Sequence, residues 1–171
     1  MAQRRRKKVA IVQCQADNCW KKSEARIEMQ VCKWGCTGCE SCVQACRLNA
    51  VRINARGTAE VIPEKCVGCG LCAKACPQRL IRVVNVEYNI YSACVNEDPG
   101  AQTRKLCDHG CIACKICVKN CPMGAIDMVN NHAVIDEEKC IACGMCAVKC
   151  PRGVILDNNG IFTVRKEQVV G

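Results

Sequence analysis

Residues 111–122 read CIACKICVKNCP: four cysteines at intervals of three, three and four, closed by a proline. Close copies of the run begin at Cys36, Cys66 and Cys140. Three cysteines at intervals of three wrap a tight loop, so their thiolates converge. The fourth follows the third at i+4, one helical turn on, and is placed to reach a second centre. Such a loop also aims backbone N–H groups at whatever the sulfurs hold.

The spacing C-x2-C-x2-C-x3-C-P is the bacterial ferredoxin signature for [4Fe–4S] binding, in which the fourth cysteine ligates the other cluster of a pair. Residue by residue, this gives four expected [4Fe–4S] sites. The first takes Cys36, Cys39, Cys42 and Cys76, and the second takes Cys66, Cys69, Cys72 and Cys46. The third takes Cys111, Cys114, Cys117 and Cys150, and the fourth takes Cys140, Cys143, Cys146 and Cys121. Zinc knuckles instead pair two CxxC units across a longer gap. Pro77, Pro122 and Pro151 follow the remote ligands and end the short helices, because proline disfavours helical geometry before it. Arg47 replaces proline after Cys46, and a looser helix end is expected there. Gly70 and Gly144, between second and third ligands, would let backbone approach a cluster closely.

The composition agrees with a metal-stapled interior. Half of the 171 residues count as apolar, but 21 of those are cysteine and only five residues are aromatic. Domains of about 60 residues are already marginal, so disulfides or metal must supply what side chains do not. The basic start has only about six apolar residues behind it, too few for a secretory signal. The Arg4–Arg5–Arg6 run lacks the apolar stretch of a twin-arginine signal, and no run approaches the ~20 residues of a membrane span. A cytoplasmic chain is expected, where clustered cysteines point to metal or redox work. The formal charge of +9 suggests nucleic acid until the metal is counted. An oxidised [4Fe–4S] core with four thiolates carries about −2, so four of them leave about +1 and full one-electron reduction about −3. Arg4, Arg5, Arg6, Lys7 and Lys8 then form a local basic tail, either solvated or docked on an acidic partner or anionic surface.

The chain is an internal repeat. Cys32, Cys36, Cys39, Cys42 and Cys46 recur 75 residues later as Cys107, Cys111, Cys114, Cys117 and Cys121, and the second runs recur with a shift of 74. Short β-type segments follow each run (AVRIN, LIRVV, AIDMV, GVILD), and two more precede the second runs (AEVIPEKC, AVIDEEKC). NARGT at 54–58 and the Asn pair at 130–131 suit hairpin turns. The expected fold class is α+β: two tandem bacterial ferredoxin-like 2[4Fe–4S] domains, each preceded by a short strand–helix element. The expected division is 1–31 basic tail and prelude, 32–83 first domain, 84–106 rigid strand–helix junction, and 107–171 second domain. Helical stretches are expected at 20–31 and 99–106, the latter with Asp98 as N-cap and Pro99 in the first turn.

Five cysteines remain: Cys14, Cys19, Cys32, Cys94 and Cys107. Three readings stay open: buried thiols packing as small hydrophobes, a thiol pair in each half, or a fifth metal site using Cys14, Cys19 and Cys32. His109 and His132 stand 23 residues apart outside the runs and are expected at the surface, not on iron. Lys33 and Trp34 before the first loop, and Asp108 and His109 before the third, suit ordinary packing and solvation. No Gly-rich phosphate loop and no nucleophile–base constellation is visible, so no catalytic residue and no small-molecule substrate are expected.

The segment from Ala93 to Ile155, ACVNEDPGAQTRKLCDHGCIACKICVKNCPMGAIDMVNNHAVIDEEKCIACGMCAVKCPRGVI, resembles the C-terminal region of the B subunit of Rnf-type electron-transport complexes. The likeness runs from about 9 to 160 and includes the extra cysteines Cys94 and Cys107 ahead of the third run. The resemblance implies exchange of low-potential electrons with soluble ferredoxin and a membrane-bound flavin chain. The N-terminal hydrophobic anchor of that family and the small iron–sulfur domain after it have no counterpart here, so a soluble, cytoplasmic relative within a larger complex is expected. The expected function is an electron-transfer subunit whose four [4Fe–4S] clusters relay single low-potential electrons between a flavin or ferredoxin site and a partner redox subunit. The expected partners are thus subunits of a flavoprotein or ferredoxin-linked oxidoreductase, with peripheral membrane association left open. The alternative is a free, diffusible polyferredoxin. A nucleic-acid-binding module is disfavoured, because the basic tail has no aromatic residue for stacking before Trp20.

Overall fold

The computed structural model describes residues 7–16, 32–88 and 90–157. The chain divides into two compact units, Met1–Glu87 and Tyr88–Gly171.

In the first unit, β1 (Lys8–Val12) pairs antiparallel with β4 (Ile81–Asn85), with Lys8 opposite Asn85 and Val12 opposite Ile81. The strand expected as a prelude is thus joined to the unit, pairing with its last strand. A second antiparallel pair, β2 (Val51–Ile53) and β3 (Ala59–Val61), forms a hairpin. Its turn is tied by Asn54, whose Oδ1 accepts the N–H groups of Arg56 and Thr58 and the Thr58 hydroxyl. Arg52 and Glu60, directly opposite across the hairpin, pair at 2.9 Å. Between these strands lie two short helices, α1 (Ser41–Gln44) and α2 (Leu71–Ala75), which pack together.

The second unit repeats the plan. β5 (Ile90–Ser92) pairs with β8 (Ile155–Asp157), and β6 (Ile126–Val129) pairs with β7 (His132–Ile135), both antiparallel. The two-residue turn is Asn130–Asn131, both left-handed (φ 43° and 66°), the conformation that matches the twist of a tight hairpin. Two helices, α4 (Ile116–Lys119) and α5 (Met145–Lys149), stand where α1 and α2 stand in the first unit. Residues 84–106, expected as a junction, divide between the units: β4 ends in the first, and β5 with α3 (Gly100–Leu106) belongs to the second. Pro99, not Asp98, occupies the N-cap of α3. Asp98 serves through its backbone: its N–H donates to Asn96 Oδ1 at 2.8 Å and its carbonyl accepts the Thr103 hydroxyl at 3.2 Å. The helix expected at 20–31 lies outside the described residues.

The cores are thin. In the first unit Val9, Ile11, Val51, Leu80, Ile81 and Val84 are buried together with Cys42, Cys66 and Cys72. In the second, Ile90, Ile126, Ile135 and Ile155 cluster with Cys117, Cys146, Ala133 and Ala147. No aromatic side chain is among the buried described residues, so the packing surrounds cysteine loops and leaves a hollow beside them. No helix among the described residues is long and apolar enough to cross a membrane.

Candidate metal centres

Each cysteine run forms the same loop, and the backbone shows why. The residues on either side of the middle cysteine are left-handed in all four: Gly38 and Glu40, Gly68 and Gly70, Ala113 and Lys115, Ala142 and Gly144. Two left-handed residues around one cysteine curl the chain until the three sulfurs share one side. Gly70 and Gly144 were expected to serve close approach, but a Cβ at Gly70 would find only Val83 at 3.9 Å. Positive φ is the reason, since Glu40 and Lys115 hold the same conformation at the equivalent places. Gly68 meets both demands: φ is +65°, and a Cβ would come within 2.5 Å of the Lys8 Cβ. The third cysteine of each run is the second residue of a one-turn helix that leads to the fourth. Cys76 and Cys150 cap α2 and α5 in extended conformation, as a residue before proline prefers. Arg47 leaves no looser end, contrary to expectation. α1, before Cys46 and Arg47, has the same length of four residues as α4, before Cys121 and Pro122. The turn after the ligand is what fixes the end: the N–H three residues on returns to the ligand carbonyl at Cys46, Cys76, Cys121 and Cys150 (3.1–3.3 Å).

The structure brings the sixteen cysteines together in four groups. Cys36, Cys39, Cys42 and Cys76 line one hollow, backed by Val12, Ile53, Leu80 and Ile81. Cys121, Cys140, Cys143 and Cys146 line another, backed by Ile90 and Ile126. Electrostatics outline all four groups. Burial pushes the Cys42 thiol up to about 11, with Cys36, Cys76 and Cys39 adding to the rise. Burial raises Cys72, with Cys66, Cys46 and Cys69 contributing. Cys117 reaches about 11, by burial and then Cys111, Cys150 and Cys114. Cys146 reaches about 12, by burial and then Cys140, Cys121 and Cys143. In each group the third cysteine of the run is buried and the middle one exposed. The exposed Cys39 thiol sits below its ordinary value because the Ser41 hydroxyl lies 3.4 Å from its sulfur.

Four thiolates around one hollow would repel one another unless a cation offsets their charge, and a coordinating thiol is deprotonated outright. The backbone already treats several of these sulfurs as acceptors. N–H groups reach Cys66 from Ala10 and Gly68, Cys46 from Ala50, Cys121 from Ala125, Cys140 from Ala142 and Cys150 from Val154, all at 3.2–3.4 Å. Asn96 is buried, and its Nδ2 has no partner among the described residues, a donor suited to an acceptor outside the polypeptide. No three His, Cys, Asp or Glu side chains among the described residues stand close enough to hold a single metal ion. Four sulfurs around one zinc at 2.3 Å would lie only about 3.8 Å apart, whereas a four-iron core spreads its ligands wider. The residues present fit an iron–sulfur cube at each group.

The extra cysteines lie beside the first ligands. Cys14 Sγ accepts the Cys36 N–H and Cys94 Sγ accepts the Cys111 N–H, each at 3.4 Å. Cys14 and Cys32 sulfurs both pack against Gly35. Burial pushes Cys94 up to about 12, which disfavours the thiolate that a redox-active pair needs. Cys19, one of the three members of a Cys14–Cys19–Cys32 site, lies outside the described residues. His109 and His132 are half-buried, and neither joins a group. Lys33 lies over the Trp34 ring at 5.1 Å, a packing contact. Arg152 was missed from sequence: its guanidinium donates to the carbonyls of Cys107 and Gly110, tying the turn after Cys150 to the entry of the third run. Only a long-range contact reveals it, since the repeat has Gln78 at that place.

Comparison with known proteins follows the same lines. Residues 25–83 and 110–155 each match a 4Fe-4S dicluster domain, and two such domains give four [4Fe–4S] clusters. No curated protein matches the chain. Among solved structures, a chain of the formate dehydrogenase–heterodisulfide reductase–formylmethanofuran dehydrogenase complex from Methanospirillum hungatei is similar at 20% identity and a TM-score of 0.30. The likeness covers 72% of this chain and 52% of that one, so this chain spans about half the length of the one it matches.

Proposed function

We propose, from the premise that this chain is an iron–sulfur protein carrying two 4Fe-4S dicluster domains, that it is the electron-transfer subunit of a larger oxidoreductase complex. The ligand sets are Cys36, Cys39, Cys42 and Cys76; Cys66, Cys69, Cys72 and Cys46; Cys111, Cys114, Cys117 and Cys150; and Cys140, Cys143, Cys146 and Cys121. When bound, each cluster supplies one-electron reduction and oxidation, here of single low-potential electrons passing between a flavin or ferredoxin site and a partner redox subunit.

The observation that carries this is the repeated arrangement of four cysteine groups. The chain's own residues do three things. The exposed middle cysteines, Cys39, Cys69, Cys114 and Cys143, leave one corner of each site at the surface, where a partner can approach. The buried third cysteines and the apolar residues behind them exclude water from the opposite side. The short helices link sites in pairs: α1 carries Cys42 of one set and leads to Cys46 of the other, four residues and about 6 Å of helical rise apart. α2, α4 and α5 link Cys72 to Cys76, Cys117 to Cys121 and Cys146 to Cys150 in the same way. The cysteines Cys94 and Cys107 ahead of the third run support kinship with the B subunit of Rnf-type complexes, and a cytoplasmic setting is part of the same proposal.

Anaerobic purification of tagged protein from its native host tests the proposal. Stoichiometric flavoprotein or oxidoreductase subunits and about 16 irons per chain are expected. A lone monomer with fully reducible clusters would overturn the fixed subunit in favour of a diffusible polyferredoxin.

A further inference from the structure

Two cysteines outside the ligand sets occupy matched places in the two units. After β1, the ladder continues one rung, with the Gln13 N–H on the Leu80 carbonyl at 2.8 Å, and Cys14 follows. After β5 it continues one rung, with the Ala93 N–H on the Val154 carbonyl at 2.9 Å, and Cys94 follows. Each of these sulfurs accepts the backbone N–H of the first ligand in the first run of its unit: Cys36 for Cys14, Cys111 for Cys94. Cys94 also accepts the Asn96 N–H at 3.4 Å and is only 8% exposed. The second runs do this differently. There the first-ligand N–H groups go to main-chain carbonyls, Cys66 to Pro63 at 3.2 Å and Cys140 to Asp136 at 3.0 Å. A sulfur acceptor therefore marks the first and third sites, and a carbonyl acceptor the second and fourth.

We propose that Cys94 and Cys14 are positioning residues that set the reduction potentials at the third and first sites through the backbone of Cys111 and Cys36. The inference rests on the ligand sets proposed above. Potentials of such centres respond to hydrogen bonds on their sulfurs and to nearby charge. An N–H held by Cys94 is not free to turn toward a cluster sulfur. The Cys94 sulfur also keeps electron density beside the ligand, which disfavours the more negative, reduced state. Removing it does both opposite things at once, so Cys94→Ala raises the potential of that centre. Serine keeps an acceptor oxygen at the same position and restores most of the original value.

The test is a redox titration followed by electron paramagnetic resonance, with iron analysis, on the full-length holo-protein. Cys94→Ala is expected to keep about 16 irons and to shift one of four Nernst components upward. The expected size is about tenfold in its reduction equilibrium, or about 59 mV for one electron. Cys94→Ser shifts the same component by less than half as much, and Cys14→Ala moves a different component. Four unchanged components in both alanine variants, a downward shift, or a serine effect as large as alanine's would overturn the proposal. Loss of four irons from Cys94→Ala would overturn it too, by making Cys94 a ligand or a scaffold. Failure of the ligand sets has a separate signature: Cys143→Ser would retain every cluster unaltered.

Discussion

Gly100 is the position where one added carbon should do most harm. It opens α3 and packs against the third cysteine loop, with no left-handed φ to complicate the substitution. A Cβ would collide with the Ile112 carbonyl oxygen and lie 2.8 Å from its carbonyl carbon and 3.2 Å from its Cα. All three atoms are backbone, and Ile112 stands between Cys111 and Cys114, so no side chain can rotate aside. Overpacking of this kind costs about 1–3 kcal/mol, and more where neighbours cannot yield. Alanine's better helix propensity returns at most ~1 kcal/mol. A net loss of about 2 kcal/mol corresponds to roughly 10 °C in a unit of this size. Either α3 lifts off or the loop moves, and the second course separates Cys111 from Cys114 and Cys117. Gly100→Ala should thus lower Tm by about that amount and drop iron from about 16 toward about 12 per chain. Gly124→Ala is the control: its Cβ meets nothing within 4 Å, though φ is +57°, so it should cost ~1 kcal/mol and no iron. Full iron and an unchanged Tm in Gly100→Ala would show that α3 does not brace the loop.

Two further outcomes follow from the backbone and the thiols. Lys115→Gly and Ala142→Gly relieve left-handed strain (φ 60° and 54°) and should stabilise the holo-protein by a few tenths to ~1 kcal/mol in chemical denaturation; a loss of stability in both would show that their side chains matter more than their φ. A Cys94 thiol pushed up to about 12, against an ordinary 9.0, holds about a thousandfold less thiolate at pH 8. Its alkylation in holo-protein, followed by mass spectrometry, should rise about tenfold per pH unit from 8 to 10; a plateau near pH 9 would mean an ordinary, accessible thiol.

The sites were more legible than the fold around them. The ferredoxin signature assigns Cys46 to the second loop and Cys76 to the first, each about 6 Å along a helix from the third cysteine of its own run, and the electrostatic neighbours of Cys42 and Cys72 follow the same grouping. The hairpins were legible from Asn54 and the Asn130–Asn131 pair, whose turn chemistry is local. What spacing could not reveal is pairing between distant segments. β1 looks like a prelude until its partner, β4, is known, and then the same five residues become an integral strand whose Ala10 N–H bonds Cys66. Arg47 misled for a related reason: proline is a common way to end these helices, but the returning N–H of Asn49 ends α1 without it. Gly70 was noticed for the right position and the wrong property, since φ is a torsion that neighbouring residue types only hint at.

The left-handed positions also bear on what holds each unit together. Eight such residues flank the four middle cysteines, and four of them are glycine: Gly38, Gly68, Gly70 and Gly144. The other four, Glu40, Ala113, Lys115 and Ala142, carry a Cβ in a conformation that costs roughly 1–2 kcal/mol each. Three of these four lie in the second unit, whose main buried cluster is four isoleucines, two alanines and two cysteines, with Ala93, Ala125 and Val154 buried besides. So small an apolar core leaves little surplus to hold three strained residues and several crowded thiols in place. Bonds from the cysteines to a cluster supply that surplus, because a metal site absent from the unfolded chain turns its binding free energy into folding free energy. Four cysteine runs in each chain therefore answer two demands at once. In the proposed reading the clusters carry electrons, and they also stand in for the large aromatic side chains, of which this sequence has only five.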